Sequence, residues 1–302
     1  MIARKIWLAL SVVPRQNPIF QFAVKSNTDQ LSLPVIRLIT FAMGILICST
    51  LCLLSTSAFI TWAFVAAVGG IPLTLGFILI LSTTVDGSLW AMRVADGIAM
   101  HRRKRHWDLL AVTPSGPTGV TWSLCRATFH RWGLLRRGLR SLKWAIGVII
   151  AVLGLLLVPT FLASNQSRFQ PVYIQILIQM GAMLGLLYVD YIHGMSCAAL
   201  AGILGAQLAG RRTESQLAGY FIFQIVQFGV YTLPIAAITL IFQIQPMRTL
   251  INTWETETQA FTTLALVALV VLTREASCRI LWHLSCRQLD EDDCLPPALP
   301  LD

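Results

Sequence analysis

"VYIQILIQMGAMLGLLYVDYIHGMSCAALAGILGAQLA", residues 172–209, decides the fold, because it is a run of nearly 40 residues whose acidic and basic side chains are confined to Asp190 and His193. A helix needs about 20 apolar residues to cross a bilayer, so this run is either one long crossing or two short ones, and the choice reverses the orientation of everything after it. Small residues recur every four positions along it, at Gly194, Ala198, Gly202, Ala206 and Gly210, and Gly181 and Gly185 form a separate GxxxG. Such a row lets helix backbones approach closely in lipid, and it favours one continuous helix. Close packing within the chain and packing between two subunits explain the row equally well.

The rest of the chain reads the same way. Of 302 residues, 56% are hydrophobic and only 12% charged, against roughly 25% charged in soluble proteins. The composition points to an integral membrane protein. Apolar runs predict spans at Leu38–Ala58, Ile71–Met92, Leu142–Ala163, Val172–Ala209 and Leu217–Phe242. A sixth begins at Ala260 and is uncharged only to Thr273, so it is expected to continue while Arg274 snorkels to the interface. With 172–209 as a single crossing, 21 of the 23 Lys and Arg residues fall on one side of the membrane and only Arg168 and Arg248 on the other. The excess of basic residues on cytoplasmic segments then places both termini and the 93–143 loop in the cytoplasm.

The expected fold is therefore all-α: a multi-pass bundle of six transmembrane helices in the cytoplasmic membrane, with amphipathic interfacial helices beside it. Residues 1–34 form a cytoplasmic N-terminal segment, 35–285 the six-span domain, and 286–302 an acidic, Pro-rich tail expected to be disordered. The start, "MIARKIWLALSVVP", lacks a small-residue cleavage site and reads as a retained amphipathic helix anchored on the membrane face by Trp7. The net charge of +9 suits anionic lipid, and no nucleic-acid recognition fold is visible. Seven cysteines imply no disulfide framework; Cys278, Cys286 and Cys294 beside His283 match no zinc spacing, so no metal site is expected.

Ionisable residues inside apolar runs are functional candidates, because burying a charge is costly. Asp86, Asp190 and His193 qualify. Asp190 and His193 share a helix face with Tyr191 beside them, which suits either a polar contact between helices or a proton relay. Asp86 lies two turns before Arg93, and Asp96 three residues after it, a grouping that satisfies charge at a membrane border. No HExxH or GxSxG motif is present, and none of Lys5, Lys25, Lys104 and Lys143 follows a glycine, so neither a catalytic residue, a nucleotide-binding loop nor a cofactor is expected.

Between the second and third spans lies "GIAMHRRKRHWDLLAVTPSGP", residues 97–117. Trp107, Asp108, Leu109 and Leu110 sit on a short helix that Thr113 and Pro114 should end. From Trp122 to Lys143, aromatic and aliphatic residues alternate with arginines at spacings of three and four, as in an interfacial helix. The segment resembles the loop after span two in permeases of the type-2 ATP-binding-cassette exporter family, with Trp107, Asp108, Leu109, Leu110, Thr113 and Pro114 at the matching positions. "QNPIFQFAVKS", residues 16–26, resembles the Asn-Pro segment before that family's first span. The resemblance implies a transport subunit that docks a separate ATPase on these six residues and pairs with a second permease subunit. His101, Arg103, Arg105 and His106 stand where the family carries glutamates and Gly-Thr, which leaves open a membrane scaffold that has lost ATP coupling. A membrane enzyme using Asp190 and His193 is a third, weaker reading, and a solvated or lipid-bound basic connector is the plain alternative for the loop itself.

Overall fold

The computed structural model describes residues 2–12, 17–25, 84–103, 116–131, 143, 147, 171–243 and 255–289. These described residues form seven helices and no strand: α1 (Ile2–Ser11), α2 (Pro18–Lys25), α3 (84–103), α4 (Gly116–Arg131), α5 (Pro171–Leu208), α6 (Arg212–Gln243) and α7 (Glu255–Arg287). Among the described residues the chain is all-α, as expected. The expected spans at Leu38–Ala58 and Leu142–Ala163 lie outside the described residues, apart from Lys143 and Gly147.

Residues 172–208 belong to one unbroken helix of 38 residues, about 57 Å long at 1.5 Å per residue. Among the described residues two stretches are long and apolar enough to cross a membrane, Leu184–Leu208 in α5 and Arg212–Pro234 in α6, and they differ in what covers them: 83% of the first and 28% of the second is buried inside the protein. α5 is thus the central helix, and α1, α3, α6 and α7 surround it. α6 turns Phe221, Ile225, Phe228 and Leu233 outward. Pro234 sits inside α6 without ending it.

Small residues explain how α3 and α6 reach α5. A Cβ on Gly202 would stand 2.6 Å from the Ala91 carbonyl oxygen and 2.6 Å from Val94 Cβ, so α3 lies directly on α5 here. Gly205 meets the backbone of Gly219 in α6, and a Cβ on Gly219 would lie 3.0 Å from the same Ala91 oxygen. Ala198 and Ala206 are buried in this packing. At Gly181, Gly185 and Gly210, by contrast, no described atom lies within 4 Å of an added Cβ, and at Gly194 the nearest is Arg274 Nη1 at 3.8 Å. The small-residue row therefore divides: its Ala198–Ala206 part packs within the chain, while its Gly181–Gly185 part is open.

The same contacts give the helix directions. Ala91 faces Gly202, Arg102 Nη1 donates to Ala206 O at 3.2 Å and Arg103 Nη2 to Gly210 O at 2.9 Å, so α3 and α5 run parallel. Along α5 and α6 the order reverses, with Gly205 opposite Gly219 and Asp190 opposite Tyr231. α7 runs parallel to α5, pairing Arg274 with Asp190 and Cys278 with Cys197.

Polar caps fix the shorter helices. Asn17 Oδ1 accepts hydrogen bonds from Ile19 N (3.0 Å) and Phe20 N (3.1 Å), and Pro18 takes the first helical position, where its missing N–H costs nothing. The Asn-Pro pair is thus a helix start, and Asn17 Nδ2 also donates to Ser123 Oγ in α4 at 3.4 Å. Gly116 opens α4 at φ 64°, a left-handed conformation that glycine tolerates without strain. α4 packs on α3 through Trp90 and Phe129, ring centroids 4.2 Å apart, and on α7 through Trp122 and Trp282 at 6.1 Å.

α1 differs from its expected place on a lipid surface. Its apolar face (Ala3, Ile6, Trp7, Leu10) is covered by protein, and Trp7 stands edge-on to Tyr191 of α5 at 5.8 Å. The Glu275 carboxylate of α7 accepts from Ile2 N and from Ala3 N (3.3 Å), satisfying two of the unpaired N–H groups that begin any helix. Arg4, Lys5 and Leu8 remain exposed.

Replacing Gly202 by Ala should lower stability by about 1–3 kcal/mol, the usual cost of overpacking. Gly181→Ala should be neutral or gain about 0.5–1 kcal/mol, because Ala is the better helix former where space is free. Thermal unfolding of the two variants in one detergent checks this, and equal melting temperatures would show that Gly202 is not in a tight contact.

Candidate functional site

Three long apolar helices each contribute one polar side chain to a common point. Asp190 stands in α5, Tyr231 in α6 and Arg274 in α7. Arg274 Nη2 forms an ion pair with Asp190 Oδ1, the Tyr231 hydroxyl donates to the same oxygen at 2.8 Å, and Arg274 Nη2 lies 2.8 Å from the Tyr231 oxygen. The guanidinium also stands over the Tyr231 ring, 5.3 Å from its centroid. Solvent reaches 0% of the Arg274 side chain and 1% of Asp190.

Arg274 therefore does not snorkel. The helix continues past it as expected, but the side chain turns inward, because a carboxylate on α5 offers what the interface would otherwise supply. Moving a charge out of water costs several kcal/mol even after relaxation, and a close opposite charge with further hydrogen bonds offsets that cost. The offset is incomplete: among the described residues, Arg274 Nε and Nη1 have no hydrogen-bond partner.

His193 lies one turn beyond Asp190 and is buried, yet its Nδ1 has no hydrogen-bond partner among the described residues. Asp190 is engaged by Tyr231 of α6 and Arg274 of α7, and His193 shares its helix face one turn on. The Tyr191 hydroxyl likewise has no partner among the described residues, and its ring serves as the seat of Trp7.

A second ion pair sits toward the other end of the bundle. Arg212, at the start of α6, is bidentate to Asp96 of α3, Nη2 to Oδ2 at 2.7 Å and Nε to Oδ1. Asp96 therefore ties α3 to the start of α6. Asp86 remains within electrostatic reach of Arg93. Beside this pair, Glu214 Oε2 accepts from Arg211 N at 3.2 Å, the backward half of a capping box.

At the α4 surface, His130 Nε2 lies 2.9 Å from Leu10 O and Arg126 Nη2 donates to Val12 O at 2.6 Å. Burial holds the His130 imidazole below its usual range, so it stays neutral with Nε2–H donating to the carbonyl. These two side chains fasten the end of α1 to α4. Cys125, which an exposed cytoplasmic helix would offer to reagents, is fully buried and burial pushes its thiol well above the usual range. Cys286 is disulfide-bonded, a feature that its spacing from the other cysteines did not suggest.

Trp107, Asp108, Leu109, Leu110, Thr113 and Pro114 lie outside the described residues. What is described are the two ends that carry them: α3 terminates with Arg102 and Arg103 bonded to the end of α5, His101 is buried with its ring 5.9 Å from Phe22 of α2, and α4 begins at Gly116. No protein-family model matches the chain, and comparison with curated proteins and with solved structures finds no match.

Sequence reading singles out Asp190 but not its partners. The available signal is that an acid inside an apolar run demands an opposite charge at the same depth, and Arg274 is the first cation in the last such run. Asp190→Ala leaves the Arg274 charge buried and should cost about 3–5 kcal/mol. Tyr231→Phe removes hydrogen bonds but no charge and should cost about 0.5–1.5 kcal/mol. Chemical unfolding in mild detergent measures both, and a Tyr231→Phe loss as large as that of Asp190→Ala would contradict the ranking.

Proposed function

We propose that this chain is the permease subunit of an ATP-binding-cassette transporter, an exporter, which takes its ATPase from a separate subunit docked on the loop 104–115. One observation carries the proposal. α3, α5 and α7 run parallel and α6 antiparallel, as the second, fourth, sixth and fifth of six crossings must, and the ends of α3 and α5 share one pole with the start of α6. Arg102, Arg103, Arg211 and Arg212 gather at that pole. Positive charge marks the cytoplasmic side, so in this reading the chain between α3 and α4, which bears Trp107 to Pro114, belongs to the side where ATP is available.

Several further features support the reading. Arg102 and Arg103 are bonded to carbonyls of the α5 end, so half of the polybasic run holds the root of the loop in place rather than lying on lipid headgroups. α1, α2 and α4 form a helical layer around the same bundle, tied to it by Glu275 and by the Phe22–His101 and Trp122–Trp282 contacts. The outward apolar residues of α6 suit lipid, or the second permease subunit with which such transporters pair. Anionic lipid meets the exposed Arg4, Lys5 and Lys25. The scaffold reading rests on His101, Arg103, Arg105 and His106 in place of acidic and Gly-Thr positions, and for His101 and Arg103 the bundle itself supplies a structural use.

Two experiments test the proposal. A cysteine placed at Arg211, whose side chain is 80% exposed, should react with a membrane-impermeant maleimide only in inside-out vesicles; reaction in intact cells would reverse the topology. The complex purified in mild detergent should hydrolyse ATP, and Trp107→Ala with Leu110→Ala should lower ATPase recovery at least about tenfold while membrane insertion is unchanged, because aromatic anchors dominate interface energies. Recovery of other membrane subunits with no ATPase would favour the scaffold, and unchanged ATPase binding by the double variant would overturn the docking assignment.

A further inference from the structure

Two cysteines far apart in sequence meet at the α5–α7 contact. Cys197 Sγ and Cys278 Sγ are 2.9 Å apart, both thiols are free, and solvent reaches neither residue. Sulfur atoms in a disulfide are about 2.05 Å apart, so closing the bond needs each sulfur to move by less than about half an ångström, within the reach of small χ adjustments. Cys278 Sγ also donates weakly to His193 O at 3.9 Å, which aims it at α5. The pair lies two turns along α5 from Asp190 and one turn along α7 from Arg274, so the two helices are already held in register beside it.

We propose that Cys197 and Cys278 are a dithiol oxidation site that closes to a disulfide and locks α5 to α7. The oxidant is hydrogen peroxide, a neutral molecule little larger than water and able to enter when the helices part transiently. The Cys197 thiolate attacks one peroxide oxygen, the O–O bond breaks, and hydroxide leaves and takes up a proton as water, which gives Cys197 sulfenic acid. The Cys278 sulfur then attacks the Cys197 sulfur, the S–O bond breaks, and a second water leaves. Two thiols and one peroxide become one disulfide and two waters, with two electrons passed from sulfur to oxygen. Burial makes the reaction slow and protects the product from thiol reductants once it has formed. The consequence is a latch: while it is closed, α7 cannot slide or tilt on α5 at the level of the ion pair, and any cycle that requires that motion stops.

The full-length protein in detergent provides the test. It is treated with hydrogen peroxide, quenched with N-ethylmaleimide, digested with trypsin and analysed by mass spectrometry. Cleavage after Arg274 and Arg279 releases Cys278 in the short peptide Glu275–Arg279. The expected product is that peptide linked to the one containing Cys197, as the majority species. It should vanish when the unfolded digest is treated with dithiothreitol and in both Cys197→Ala and Cys278→Ala, and thermal unfolding of the oxidised wild type should rise by several degrees and fall back on reduction. The proposal is overturned if both thiols are recovered alkylated under peroxide that links them in the urea-unfolded chain, or if Cys278 is found bonded to a different cysteine. The wild-type digest decides alone even if the variants fold poorly.

Discussion

An arginine and an aspartate, both shut away from water, hold the centre of this protein. Neither Asp190 nor Arg274 is tolerable alone among apolar helices, since an unpaired charge there costs several kcal/mol. Each constrains where the other's helix can lie. Tyr231 adds a third point, because its hydroxyl touches both groups and so draws α6 onto the seam between α5 and α7. A purely apolar contact among three such helices would leave rotation and sliding loosely specified. The polar junction admits one register.

Around that point the other interactions serve placement more than bulk stability. Arg274 faces inward and Glu275, the next residue, faces α1 and closes its N-terminus, so one turn of α7 determines the position of two further helices. Gly202, Gly205 and Gly219 bring α3, α5 and α6 to backbone contact, which only glycine permits at that spacing. Arg212 and Asp96 then tie the start of α6 to α3. In the proposed transporter this construction fixes α3, α5, α6 and α7 to one another, and the outward residues of α6 are left to meet lipid or a second subunit.

Much of this is legible in the residues. Helix class follows from the long apolar runs, and the unbroken α5 from its small-residue row and from the distribution of basic residues. What sequence does not supply are pairings between distant segments. Arg274 resembles an interfacial residue because hydropathy along one helix carries no information about a carboxylate on another. Trp7 resembles a lipid anchor for the same reason: an amphipathic helix has one apolar face whether lipid or Tyr191 covers it. Gly205 escapes notice because it falls outside the four-residue period of its neighbours, and its meaning emerges only opposite Gly219. The six loop residues that resemble a docking segment rest on sequence, supported by where their flanking helices end.

The central claim is that Asp190 and Arg274 recognise each other across α5 and α7. Charge reversal tests it most directly. Asp190→Arg alone places two cations at one buried point and Arg274→Asp alone places two anions there, so each single variant should unfold or fail to leave the membrane as a monodisperse species. The double variant restores one charge of each sign. If the account holds, it recovers a folded, monodisperse protein where neither single variant does, and any single variant that stays folded enough to measure gives a favourable coupling of at least about 3 kcal/mol. A double variant no more stable than the sum of its two single losses would contradict it.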